Sequence, residues 1–264
     1  MTQEERRIWL IRALQAEMPQ YDDIEIPDGE EGQRLLLRSL MNLRPPVPGP
    51  QAFFRVQDAY LAEETRRRGV VDCAGLAPAG GDGRLVIWQG DITRLKADAI
   101  VNAANSALLG CFQPCHACID NVIHTYSGIQ LRLACNEIMK AQGHPEPTGT
   151  AKITPGFNLP CKYVLHTVGP IISGRPGQAD REMLAACYRS CLELAAAHGL
   201  QTVAFCCIST GVFRYPQDQA AETAVETVMR FLEQDTTVRQ VIFDVFTDTD
   251  RLLYQRELEK NGIS

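Results

Sequence analysis

The sequence lacks several things that would have assigned it quickly. No apolar run in its 264 residues approaches the roughly 20 needed to span a bilayer, so no membrane role is expected. The opening MTQEERRIWLIRAL is too charged for the apolar core of a secretory signal. There is no basic stripe, and the net charge of −6 argues against a nucleic-acid surface. It does not exclude a small anionic ligand, because backbone N–H groups bind phosphate without any lysine. Neither a P-loop nor a G-x-G-x-x-G is present, so ATPase and NAD dehydrogenase readings lose support. Internal repeats and low-complexity tracts are also missing. Cysteine is not scarce: there are ten, most of them inside apolar runs such as TVAFCCIST. Without a secretory signal they are expected to be reduced, buried small hydrophobes of a cytoplasmic protein.

Residues 1–80 read as a helical extension. Thr2 and Glu5 form a capping box before Ile8, Trp9, Ile11, Leu14 and Met18. A second helix over 30–43 stops before Pro45 and Pro46, and a third over 51–68 stops at Gly69. None carries a chemical cluster, so the extension reads mainly as structural support or a lid. The segment APAGGDG at 77–83 reads as a flexible junction. Over 84–264 the texture turns to alternating strands and helices. Strands are expected over 85–88, 99–103, 151–154, 163–167, 203–209 and 241–246, and helices over 119–141, 179–198, 217–234 and 249–260. This alternation predicts an α/β fold, a mostly parallel sheet covered by helices on both faces. Ligands of such sheets bind beyond the carboxyl ends of the strands. Asp91, Asn105, Ser209-Thr210-Gly211 and Thr247 fall there.

The strongest local signal is AIVNAANSALLGCFQPCHACIDNVIH, residues 99–124. Cys111, Cys115, His116 and Cys118 could bind zinc, as a closed four-ligand site or as three ligands with an open position. Adjacent Cys115 and His116 project in different directions, which favours three. Cys115-x-x-Cys118 could also be half a knuckle, but no second pair exists to complete it. A redox pair is another reading, outside any thioredoxin-like context. Asp120 and His124, four residues apart, share one helix face. Asp91, in QGDIT, could merely cap a turn or could accept from an exocyclic amine. STGVFRYP at 209–216 lies between a strand and a helix, a candidate anion cradle. His166, mid-strand in YVLHTVGP, reads as a satisfied core histidine.

Taken together, QGDITRLKADAIVNAANSALLG, the helix-opening Asp120 to His124, YVLHTVGP and ISTGVFRYP resemble a macrodomain, the three-layer α/β/α module that binds ADP-ribose. The resemblance covers residues 84–264. The insert CFQPCHACIDN and the helical extension are similar to the zinc-dependent macrodomains, a microbial group often linked to a sirtuin-type ADP-ribosyltransferase. The resemblance implies one Zn2+ per chain on Cys111, His116 and Cys118. It implies that Asp91 and the Ile92 amide meet the adenine, with Phe246 flanking the ring. Ser209, Thr210, Gly211, Val212 and Phe213 would hold the diphosphate, and Asn105, Asp120 and His124 would be catalytic, at the distal ribose. Arg214 stands where many macrodomains carry glycine, and Cys115 has no role to inherit. The implied activity is removal of mono-ADP-ribose from protein side chains. An ADP-ribose reader with a structural zinc and a hydrolase of free O-acetyl-ADP-ribose are the alternatives.

Overall fold

The computed structural model describes residues 1–79, 81 and 83–262. Two positions of the expected junction, 80 and 82, and the last two residues lie outside that set.

Three helices come first: α1 (Gln3–Glu17), α2 (Glu30–Leu43) and α3 (Gln51–Arg68). The capping box forms as the spacing predicts: Thr2 Oγ1 accepts from the Glu5 amide at 3.1 Å, and Thr2 N–H donates back to Glu5 Oε2 at 2.7 Å. Leu10, Ile11, Leu14, Leu37, Leu40 and Phe53 build a core of their own, which reaches Ile129.

The remaining elements are β1 (Val71–Asp72), β2 (Leu85–Gln89), β3 (Leu95–Lys96), β4 (Ala99–Ala104), α4 (Ile119–Ser127), α5 (Ile129–Gln142), β5 (Ala151–Pro155), β6 (Tyr163–Val168), α6 (Gln178–Ala197), β7 (Thr202–Phe205), α7 (Gln217–Leu232), β8 (Gln240–Val245) and α8 (Asp248–Lys260). Six of the strands form one sheet in the order β2-β8-β7-β4-β6-β5, all parallel except β5. Strand β4 is buried at nearly every position, as expected of a parallel strand with both faces covered. Neighbouring strand residues point to opposite faces. His166 on β6 meets Cys135 of α5, whereas the next residue, Thr167, faces Cys187 and Cys191 of α6. Helices α4 and α5 therefore cover one face, and α6, α7 and α8 the other. This is the expected three-layer α/β/α arrangement with its mixed, largely parallel sheet.

Two expectations need correction, and one small sheet was not expected at all. The helix expected over 119–141 is two helices, because Gly128 adopts φ +91°, open to glycine and strained for other residues. The break sends Ile129 into the core of the extension. Strand β7 stops at Phe205 instead of residue 209, since Ser209 takes φ +66°, which no strand residue adopts. The freed residues 206–216 become a loop at the carboxyl end of this interior strand. Finally, Val71-Asp72 pairs with Leu95-Lys96 in a two-stranded parallel sheet too short for sequence periodicity to reveal.

Candidate active site

Four adjacent parallel strands place the predicted residues in one row. Asp91 follows β2, Phe246 follows β8, the 209–213 loop follows β7, and Asn105 follows β4. Three inter-strand spacings of about 4.8 Å make the row about 14 Å long. Phe246 is 81% exposed and Val212 65%, free to meet a ligand, whereas the Ile92 side chain is in the core. The Ile92 side chain is therefore closed to a ligand.

The loop after β7 is pinned by its own backbone. Tyr215 N–H donates to the Ser209 carbonyl at 3.0 Å, and Ile172 N–H to the Phe213 carbonyl at 2.8 Å. Thr210 Oγ1 donates to the Cys207 carbonyl at 3.0 Å. Arg214 has φ +60°, the left-handed conformation that a glycine there adopts without strain.

At the β4 end, Asp120 opens α4 and is 4% exposed. Asn102 Nδ2 donates to its Oδ1 at 2.8 Å, and Asn105 Nδ2 to its Oδ2 at 3.2 Å. Burial pushes the Asp120 carboxyl up to about 6, opposed by these asparagine hydrogen bonds and by the nearby Arg132 charge. Asn102 is a support that periodicity alone did not assign. Its signal was a polar residue inside a fully buried strand, which must find a partner. His124 lies beneath Asp120, Nε2 3.6 Å from Oδ1, and is itself buried. Burial, with Arg132 and His166 nearby, drives its pKa well down, so the ring is neutral. His124 is packed against the carboxylate and closed to solvent. His166 matches its expected character, with Nδ1 3.2 Å from Asn102 Nδ2 and Nε2 2.9 Å from Thr154 Oγ1.

Gly110 lets the chain pass over the His124 ring. It has φ +79°, and a β-carbon there would lie 2.8 Å from the ring. Gly110→Ala is expected to cost about 1–3 kcal/mol of stability, from left-handed strain and overpacking. Denaturant titration would read this as a lower midpoint at unchanged slope. An unchanged midpoint would mean that the ring is not fixed.

Between Gly110 and α4 the chain wraps three donors together. The ligand atoms of Cys111, His116 and Cys118 all lie within 4.8 Å of one another, and Cys111 Sγ is 3.6 Å from His116 Nδ1. Burial, then the neighbouring Cys111 and Asp120 charges, raise the Cys118 thiol to about 11 against a backbone hydrogen bond at Asn121. Cys115 is not in this group. With φ +51° it turns its Sγ toward Ser39 Oγ (3.3 Å) and the Leu35 carbonyl (3.5 Å).

At the β2 end, Asp91 meets a residue that sequence reading did not assign. Its Oδ1 accepts from Thr93 N–H at 3.0 Å and Thr93 Oγ1 at 2.6 Å, and its Oδ2 accepts from Arg68 Nη1 at 2.9 Å. Arg68, from the last turn of α3, also stacks on Tyr126 of α4 at 3.4 Å from the ring centre. A carboxylate offers about four acceptor positions, so one remains on Oδ2. Asp244 on β8, buried near Asp91, was also missed. Burial, then the Asp91 charge, raise its carboxyl well above the usual carboxylate range.

A macro domain family model matches residues 101–224. A protein-ADP-ribose hydrolase of Treponema medium is 57% identical over 258 residues, 97% of this chain and 99% of that protein. One of Staphylococcus aureus is 49% identical over 96% of this chain and 95% of its own length. A Trypanosoma brucei macrodomain solved in complex with ADP-ribose superposes with a TM-score of 0.65, 29% identity, and coverage of 83% of this chain and 94% of that one. Both hydrolases match across the helical extension as well as the sheet, and the solved structure reproduces the layered fold. The chain belongs to the macrodomain family.

Proposed function

We propose that this protein is a zinc-dependent hydrolase that removes mono-ADP-ribose from modified protein side chains, with residues 1–80 as a helical extension of a macrodomain over 84–264. One observation carries this reading: Asp91 with Phe246, the 209–213 loop, and Asn105 with Asp120 follow one another along the row, an order that would suit adenine, diphosphate and distal ribose in turn. The relatives named protein-ADP-ribose hydrolases and the ADP-ribose complex of the Trypanosoma protein support it. The buried Asp120 favours hydrolysis over a reader that only binds, since burying a carboxylate costs stability and adds little to affinity.

The open acceptor of Asp91 takes the adenine amine, with the Ile92 amide beside it and Phe246 against the ring. The backbone of Ser209 to Phe213 holds the diphosphate, and the Phe213 ring lies near the distal ribose, which Asn105 contacts. Asp120 orients a water and accepts its proton as the oxygen attacks C1″ and the bond to the protein side chain breaks. The diphosphate and carboxylate stabilise the positive charge that builds on the sugar. His124 acts through Asp120 as a positioning residue. Cys111, His116 and Cys118, two thiols and an imidazole, suit one zinc with an open position, and the ion when bound would supply Lewis-acid polarisation of a ribose oxygen or water. The substrate is a product of an ADP-ribosyltransferase, of sirtuin type by the resemblance. Ten free cysteines fit the reducing cytoplasm, and among the described residues no helix is long and apolar enough to cross a membrane.

Incubation with a mono-ADP-ribosylated protein, with and without chelator, tests the reading: ADP-ribose is released, and the chelator stops release. No release in either arm would leave a binding module. At the adenine end, Asp91→Ala removes a charge-assisted hydrogen bond worth about 1.5–3 kcal/mol. It is expected to weaken ADP-ribose affinity by roughly ten- to a hundredfold by calorimetry. Unchanged affinity would remove Asp91 from the site.

A further inference from the structure

The loop that carries the three donors is fastened to α2, which lies outside the residues that the family model matches. Arg38, Ser39 and Asn42 stand on one side of that helix and face the loop. Asn42 Oδ1 accepts from the Cys115 amide at 3.0 Å, and Arg38 Nη2 donates to the His116 carbonyl at 2.9 Å. Arg38 also grips Asn121 Oδ1 with Nη2 at 2.8 Å and Nε at 3.2 Å. Asn121 is wholly buried, and its Nδ2 donates to the Gln113 carbonyl at 2.9 Å and the Cys111 carbonyl at 3.4 Å. Asn42 is tied to α4 as well, its Nδ2 donating to Thr125 Oγ1 at 3.1 Å. From α5, Arg132 Nη1 donates to the carbonyls of Met41, Asn42 and Arg44 at the end of α2, and its Nε to the Leu109 carbonyl at 2.6 Å. One helix end and one loop thus share an arginine.

These bonds meet the loop backbone at residues 109, 111, 113, 115 and 116, close to every second position. Ordering a free residue costs conformational entropy, so a loop without these anchors would lose that entropy when it closed on an ion. The anchor at Cys115 also opposes the cost of its left-handed backbone, φ +51°, which non-glycine residues rarely adopt.

We propose that Arg38 and Asn42 of the N-terminal extension are positioning residues for the metal-ligand loop. They hold the loop backbone, directly at residues 115 and 116 and through Asn121 at 111 and 113, so that Cys111, His116 and Cys118 converge before an ion arrives. The extension is then part of the metal site and sets its affinity. Cys115 is the point where the loop is tied down, with its amide as the useful group and its thiol turned away. This inference rests on the zinc reading above.

The test is zinc affinity of the full-length protein, measured by competition with a chromophoric chelator, which reads metal binding without reference to turnover. Partners around a metal site typically contribute 10–100-fold to metal affinity. Arg38→Ala and Asn42→Ala are each expected to weaken zinc binding by about that factor, with Arg38→Lys recovering part of it. Arg38 is only half-buried, so its variants keep the fold even if Asn42→Ala does not. Ile11→Val, which thins the extension core without touching the loop, controls for lost stability and is expected to bind zinc like the parent. Parental zinc affinity in both Arg38→Ala and Arg38→Lys would overturn the inference. So would a loss in Arg38→Ala no larger than that of an equally destabilised Ile11→Val. Cys111→Ala keeps the two failures apart: if it binds zinc as the parent does, the zinc reading falls and takes this one with it. If Cys111→Ala loses zinc and the Arg38 variants do not, only the platform is wrong.

Discussion

Asp120→Ala is expected to lower turnover on a mono-ADP-ribosylated protein by on the order of a hundredfold or more, the usual scale for loss of a general base. Its affinity for ADP-ribose should stay within a few-fold of the parent. The split follows from position: Asp120 sits at the β4 end of the row, three strands away from Asp91. The adenine and diphosphate contacts proposed for Asp91, Phe246 and the 209–213 loop, which should supply most of the affinity, would be left intact. A group used mainly in the transition state lowers kcat when removed and hardly changes ground-state binding. Removing the carboxylate also takes one acceptor each from Asn102 and Asn105, so circular dichroism and a denaturation midpoint must accompany the rates. Asp120→Asn, nearly isosteric, should show the same kinetic loss with less structural cost. A folded variant that hydrolyses at the parental rate would end the role given to Asp120. Equal losses in rate and affinity would make it a binding residue.

Cys111→Ala is expected to abolish zinc binding, and turnover with it, while Cys115→Ala keeps both. Elemental analysis of the purified variants separates them directly. The expectation stems from which sulfurs converge: Cys111 and Cys118 lie within 4.8 Å of the His116 donor, whereas the Cys115 thiol faces Ser39 on α2. Chelation of the parent should reproduce the Cys111→Ala pattern, with ADP-ribose affinity preserved. Equal metal loss from Cys111→Ala and Cys115→Ala would point to a closed four-ligand site and weaken the catalytic claim. A chelated protein that stays folded and hydrolyses at full rate would make the zinc purely structural.

Much of the architecture was legible in the residues because its signals are local. The Thr2–Glu5 capping box, the apolar runs of β4, β6 and β8 and the Pro45-Pro46 stop each depend on neighbours within a turn or a strand. The alternation of strand and helix places loops at the carboxyl ends of strands, so Asp91, Asn105 and the 209–213 loop were identifiable before their mutual distances were known. The donor cluster was legible too, since eight consecutive residues carry all its candidate ligands.

What the chain alone left open were choices that depend on contacts between distant segments. Three donors or four at Cys111 to Cys118 turned on the direction of one thiol, and that direction is set by Ser39 and Asn42, more than seventy residues earlier. The break at Gly128 was hidden because a helical pattern continues on both sides of it, and only the docking of Ile129 on the extension shows why the chain turns. The partners of Asp91 and Asp120 were equally out of reach. Arg68 stands 23 positions before Asp91, and Asn102 stands 18 before Asp120, with nothing in either interval to join them. Residue types and local spacing therefore determined the elements and the chemical inventory of this protein. The tertiary structure decided which groups face one another, because hydrogen bonds and buried charges are short-ranged in space and indifferent to separation along the chain.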